Sequence, residues 1–301
     1  MATDPLTFEE RPVGLRRPIL LLAFAGWNDA AEAATAAARF LCRAWSGRRF
    51  ALIDPEEFVN FGLSRPTVRL KPGTTEREIV WPSTEFFLCD TPGLARDVII
   101  GLGTEPHLRW RGYCRAVVEL ARRCGVSLVL TLGALLAEVP HTRPVRLTGF
   151  ATDPELAALL GIRPTRYEGP TGIVGVLGSI CRQEGLDTAS LWANVPHYIS
   201  AVENPRATLA LLRRLLRLLD AELDLHELEE AGVQFDAQLN TVLAQNRKVA
   251  NYVKQLEAKD REALEEAPLE SPGELPDASE LMAEIERFLR EQPPPEAGGR
   301  N

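Results

Sequence analysis

Through its first two hundred residues the chain alternates short apolar runs with longer stretches of helical spacing. Pro18–Ala25 (PILLLAFA) is apolar almost throughout, the pattern of a strand buried on both faces, and an Ala-rich helical stretch follows at Ala30–Trp45. Phe50–Asp54, Glu85–Cys89 and Asp97–Leu102 predict further strands, and Val126–Leu132 is the most strongly β-patterned run of all. Thr67–Lys71 and Glu78–Trp81 flank Pro72-Gly73, a hairpin signal that points to an antiparallel addition to the sheet. Helices are predicted at His107–Cys124 (closed by Gly125), Pro154–Leu160 and Thr171–Gln183, with strands at Val145–Gly149 and Ser190–Asn194. Strands alternating with helices predict an α/β fold: a mostly parallel mixed sheet covered on both faces, giving three layers, α/β/α.

Beyond Pro205 no strand pattern remains. Leu209, Leu212, Leu216, Leu219 and Leu223 step by three and four, as do Phe235, Leu239, Val242, Asn246, Val249, Val253 and Leu256. Each stripe needs burial against another helix, within a helical hairpin or across a subunit interface. Asn246, the one polar member, sits either where it fixes register or at a wet edge. The expected division is a core over residues 1–204, a helical hairpin or coiled-coil arm over 205–267, and a Pro-rich linker with a short amphipathic helix (Ser279–Arg290) and tail over 268–301.

Composition narrows the classes. Apolar residues make up 45% and charged residues 25%, the balance of an ordinary globular protein. No run approaches the roughly 18 apolar residues needed to cross a bilayer, and Met1–Glu10 has no basic or apolar leader segment, so the expected location is cytoplasmic, with no membrane partner. The formal net charge of −8 belongs to residues 202–301, which hold 12 basic and 21 acidic side chains. Without a basic face to displace phosphate counterions, nucleic-acid binding is not expected. The five cysteines form no CxxC pair, which predicts neither a disulfide framework nor a metal site.

Candidate chemistry follows the strands. In an open parallel sheet the crevice beyond the carboxyl ends of the strands is the default ligand site. After the first apolar run come Gly26, Trp27, Asn28 and Asp29, where Gly26 permits a sharp turn and Asp29 suits helix capping as well as a pocket wall. His141, Thr142 and Arg143 lie between Pro140 and Pro144, a stiffened loop able to present groups for a carboxylate or phosphate, or to lock its own domain. Tyr167, Glu168, Gly169, Thr171 and Gly172 lead into a helix whose free N–H groups form a candidate anion site, though the Walker lysine is absent. Val195-Pro196-His197, followed by Tyr198, echoes Val139-Pro140-His141, so two imidazoles reach one sheet edge as an acid–base pair, as two metal ligands or as structural groups. No complete catalytic set is present, and no cofactor is expected.

GWNDAAEAA at 26–34, GTEPHLRW at 103–110, TLGALLAEVPHTRP at 131–144, YEGPTGIVGVL at 167–177 and WANVPHY at 192–198, in this order, resemble the bacterial, actinobacterial-type branch of the proteasome assembly chaperone 2 family. The resemblance spans roughly residues 15–260. It implies a sandwich similar to the phosphorylase/hydrolase-like fold, a helical C-terminal appendage, and homo-oligomers, trimers in particular. It also implies protein partners such as proteasome-like subunits. Proteasome-docking relatives often end in a hydrophobic residue, a tyrosine and one last residue; here the sequence reads Gly298-Gly299-Arg300-Asn301, with no tyrosine after Tyr252. Two functions follow as expectations: a non-enzymatic interaction or assembly-chaperone-like protein, or a nucleosidase/phosphorylase-like enzyme or small-molecule binder using the crevice.

Overall fold

The computed structural model describes residues 4–164, 168–200 and 202–265, together with 282, 283 and 285. In chain order the elements are β1 (Leu6–Phe8), β2 (Ile19–Ala25), α1 (Ala33–Ala44), β3 (Arg48–Ile53), β4 (Thr67–Leu70), β5 (Arg77–Val80), β6 (Thr84–Leu88), β7 (Val98–Thr104) and α2 (Trp110–Arg123). There follow β8 (Leu128–Ala137), β9 (Leu147–Ala151), α3 (Pro154–Leu160), β10 (Arg163–Pro164), α4 (Ile173–Gln183), β11 (Thr188–Pro196), α5 (Pro205–Leu219), α6 (His226–Gln245) and α7 (Arg247–Glu265).

The main sheet runs β1-β3-β6-β7-β2-β8-β11-β9-β10. Its centre, β7-β2-β8-β11, is parallel, while β1, β3 and β6 on one side and β9 on the other join antiparallel. β2 explains why an unbroken apolar run belongs at the centre. Ile19, Leu21 and Ala23 pack into the cluster under α1 and α5, and Leu20, Leu22 and Phe24 into the cluster under α2 and α4. The period of two sends alternate side chains to opposite layers, so both must be apolar. Each such buried leucine contributes about 1.5–3 kcal/mol.

Three features depart from the sequence reading. The hairpin forms where expected but adds nothing to the main sheet: β4 and β5 pair only with each other and stand exposed. The antiparallel strands come instead from β1, β3, β6 and β9; β1 and β10, three and two residues long, are too short to leave a periodic trace. Second, the leucine stripe of α5 packs into the sheet layer, with Leu212 and Leu216 in one cluster with α1 and β11, and Leu228 of α6 only at the edge of that cluster. Leu219 and Leu223 pack at the edge of that cluster, Leu223 beyond the helix end at Asp220.

Third, the second stripe is not one continuous seam. The helix breaks at Asn246 (φ −126°, ψ 104°), whose Oδ1 accepts from Lys248 N at 2.9 Å and Val249 N at 3.2 Å. Asn246 is the N-cap of α7, neither a register-setting seam residue nor a wet edge. The broken stripe closes on itself: Phe235, Leu239 and Val242 share an apolar cluster with Val249, Val253 and Leu256, around Tyr198 and Ile199. Of the expected helix at Ser279–Arg290, Met282, Ala283 and Ile285 are helical, with Ile285 buried in that cluster. The linker and the tail from Pro293 lie outside the described residues, as does Tyr167.

Candidate functional site

The four central strands end on one edge, so the loops after β7, β2, β8 and β11 form a single rim. Its two halves differ. On the β7–β2 side, Gly26 (φ 130°) turns the chain out of β2 in a conformation L-residues rarely adopt. Asn28, fully buried, donates from Nδ2 to Glu105 Oε1 at 2.7 Å, and the same oxygen accepts from Ile173 N at 2.9 Å. The α4 N-terminus therefore already holds an anion, the carboxylate that follows β7, and this corrects the expectation of a free anion site there. Gly172 is required by the close approach, since a Cβ there would lie 2.8 Å from both Asn28 Nδ2 and Glu105 Oε1. Asp29 is buried and committed to α1: its Oδ1 accepts from Ala34 N at 2.7 Å and Thr35 N at 3.2 Å, its Oδ2 from the Thr35 hydroxyl. Burial raises its pKa, opposed by those bonds. Capping, not pocket chemistry, is its role.

Over this half lies an open cleft of about 580 Å³. Trp27, Leu63, Leu108 and Pro106 supply apolar walls, Glu105 and His107 polar groups, and Thr171 and Gly172 the far lip. Trp27 is 68% exposed and Leu63 71%. His107 Nδ1 accepts from Asn60 N at 3.2 Å, which fixes the loop after β3 against the loop after β7.

The β8–β11 side is closed. The two imidazoles do reach one edge, and each is taken up by a tyrosine. Tyr198 accepts from His141 N at 2.9 Å and lies 2.7 Å from His141 Nδ1, so its hydroxyl hydrogen goes to Nδ1 and the ring proton sits on Nε2. His197 Nδ1 lies 3.2 Å from the carbonyl oxygen of Ala137, which can only accept; Nε2 therefore receives the Tyr252 hydroxyl at 2.9 Å. The four rings meet edge to face at 5.7–6.0 Å. Burial lowers the His141 pKa against the pull of Asp236 and Glu257, and raises those of Tyr198 and Tyr252. Each of the four rings is hydrogen-bonded.

Polar contacts tie α7 to the loop after β8: Lys259–Glu138 at 3.0 Å, Thr142 to Glu257 at 2.5 Å, and Arg146–Asp260 at 2.6 Å. Beneath them is a cavity of about 20 Å³ lined by His141, Arg143, Arg146 and Asp236, room for one water beside the buried, unpartnered His141 Nε2.

The candidate residues thus fall into two groups. Trp27, Thr171 and Gly172 line the open cleft, with Gly26 at the turn beside Glu105; His141, His197 and Tyr198 gather under α7, with Thr142 and Arg143 on the loop beside them. Glu168 and Gly169 are exposed and line neither space. Among the described residues no three His, Cys, Asp or Glu side chains are placed to hold a metal. Sequence reading missed Glu105, His107 and Tyr252; Glu105 and His107 lie in GTEPHLRW, directly after β7, where strand-end logic would have found them.

Fold and rim define an α/β/α sheet protein with a carboxyl edge half sealed by its own helix and half an open apolar cleft. The chain belongs to the PAC2 family, whose profile matches residues 23–243. It is similar to a PAC2 family protein from Streptomyces avermitilis (43% identity, TM-score 0.71, 78% of this chain and 99% of that one). A proteasome-assembly chaperone homologue from Mycobacterium tuberculosis is 40% identical over the same shares, also at TM-score 0.71. At 19% identity the fold alone is shared with PbaB of Pyrococcus furiosus, an archaeal proteasome activator (TM-score 0.62, 79% of this chain and 97% of that one). No curated protein matches the chain. Among the described residues no helix is long and apolar enough to cross a membrane.

Proposed function

We propose that this chain is a non-enzymatic, assembly-chaperone-like protein of the bacterial cytoplasm that binds proteins, itself included, through the open half of its carboxyl rim. One observation carries the reading. The groups best suited to acid–base work, His141 and His197, spend their ring lone pairs on Tyr198 and Tyr252, whereas the groups left open are apolar: Trp27, Leu63 and Leu108. Exposed aromatic and aliphatic side chains around one half-buried carboxylate suit a peptide surface better than a polar metabolite. The names of the relatives, a proteasome-assembly chaperone homologue and a proteasome activator, point to proteasome-type subunits as the first partner class to test. The resemblance adds a trimer as the expected assembly.

The test is direct titration of the full chain against purified proteasome α-subunits from its own host, read by mass photometry and biolayer interferometry. Saturable binding that weakens at least tenfold in Trp27→Ala is the expected result. No complex at about 100 µM would overturn the assignment of that partner, and a bound state indifferent to Trp27 would remove the rim from it.

A further inference from the structure

The molecule exposes a second apolar surface, on the β4–β5 arm. The two strands pair only with each other, and every residue of β4 is exposed. In their register Val68 stands opposite Ile79 and Leu70 opposite Arg77, which puts these four on one face; Trp81 follows on the same side by the strand period. Val68, Leu70 and Ile79 are 57–63% exposed and Trp81 is 48% exposed. The other face pairs Arg69 with Glu78 and is polar where it counts. A lone two-stranded hairpin is marginal in water unless a third strand or a packed face supports it. An apolar face of this kind marks an interface.

We infer that the β4–β5 arm of one copy docks into the open rim cleft of a second copy, head to tail. The inference rests on the reading of the rim as a protein-binding surface and names what fills it. Shape and chemistry match, because the arm projects with an aliphatic face and the cleft is an open hollow of about 580 Å³ with walls of Trp27, Leu63 and Leu108. Charge matches too. Arg77 lies on the arm's apolar face and makes no ion pair among the described residues. Among the described residues Glu105, which lines the cleft, takes its bonds from Asn28 and Ile173 on Oε1 alone, which leaves Oε2 for an incoming guanidinium. Continuity argues the same way. Phe61 packs on Trp81 at 5.2 Å between the cleft wall and the arm, so one apolar surface runs from acceptor to donor within each chain. The arm does not fill its own cleft, since its face stays exposed here.

Each copy therefore offers one donor and one acceptor. A heterologous contact of this kind either closes into a ring or propagates as a filament. The short arm and its fixed base favour closure.

Native mass spectrometry and light scattering on the full chain test this with paired variants. Val68→Asp with Ile79→Asp disables the arm, and Trp27→Asp with Leu108→Asp disables the cleft; all four side chains are exposed, so folding, checked by circular dichroism, is retained. The expected result is a closed oligomer of the unmodified chain, monomers for each variant alone, and a one-to-one heterodimer when the two are mixed, because one intact arm then meets one intact cleft. Three results would overturn it: a monomeric unmodified chain up to about 100 µM, an oligomer that survives either variant, or mixed variants that stay monomeric. If the arm variant fails to oligomerise while the cleft variant still does, arms pair with each other and the inference falls. Titration of the arm variant, whose cleft is intact and unfilled, against α-subunits separates this from the broader reading. Binding with no self-association refutes only the arm-in-cleft contact, and self-association with no binding refutes only the chaperone-like role.

Discussion

The Tyr252 hydroxyl stands 2.9 Å from His197 Nε2, a bond between α7 and the end of β11 that spans 55 residues of sequence. It decides what that half of the rim can do. With His197 Nδ1 already given to the Ala137 carbonyl, the tyrosine takes the last lone pair of the ring. Tyr252→Phe leaves a buried acceptor unpaired and should cost about 1–3 kcal/mol, measured by urea denaturation. Loss in Tyr198→Phe should be larger, because that hydroxyl serves both the amide and the ring of His141. An unchanged stability in both variants would mean the aromatic cluster does not hold α7 down.

Acid should loosen the same closure. Burial depresses the His141 pKa below its ordinary value of 6.5, so the unfolded chain takes up this proton first as pH falls. The fold is favoured above about pH 6.5, and the contribution drains away as pH drops from there towards the depressed folded value. Thermal melts between pH 7.5 and 5 should show a fall in Tm that is smaller in His141→Gln. Equal slopes in the two proteins would assign the acid sensitivity to other groups.

Asn246 gives a test with opposite signs for its two readings. As an N-cap, Asn246→Ala should cost about 1 kcal/mol, and Asn246→Leu should destabilise as well. A seam residue that set register would instead stabilise the helices when replaced by leucine. Chemical denaturation of the two variants separates these outcomes.

Gly172→Ala should disturb the open half without touching the closed one. The added methyl would press on the buried Asn28 amide and on the half-buried Glu105 carboxylate bonded to it, at a cost of about 1–3 kcal/mol. Quenching of Trp27 fluorescence by acrylamide should change in this variant, since Trp27 adjoins Asn28 on the turn that moves.

Truncation tests where the helical arm begins. Ending the chain after residue 204 strips α5 from the cluster it shares with α1 and β11, and the product should aggregate. Ending it after 224 keeps α5, removes the cover over Tyr198 and Ile199 together with Leu225 and Leu228 at the edge of the α5 cluster, and should give a folded core with weakened protection at the ends of β8 and β11. Hydrogen exchange on the two products decides between them. Equal behaviour would place α5 with the arm.

The order of strands and helices was legible from residues such as Ile19–Phe24, because burial on both faces needs side chains of one kind and hydropathy records that directly. The strand-end positions of Gly26, His141, Thr171 and His197 were legible for a related reason: a chain leaving a buried strand changes composition abruptly. Periodicity also marked the helical stretches of α5 and of α6 with α7. It could not say what each stripe faces, since Leu212 would read the same against a sheet or a partner helix. Nor could it see that the 4-3 stripe folds back at Asn246, because a polar residue on a seam and a polar cap at a break occupy the same place in the pattern.

Sequence alone therefore determined the layers of this protein, the rim on which its polar loops fall, and the family whose motifs those loops resemble. Tertiary structure decided which half of the rim is shut. Tyr252 meets His197, and Glu105 meets the start of α4, only once distant segments pack together; such pairings are set by three-dimensional distance, which local spacing does not encode.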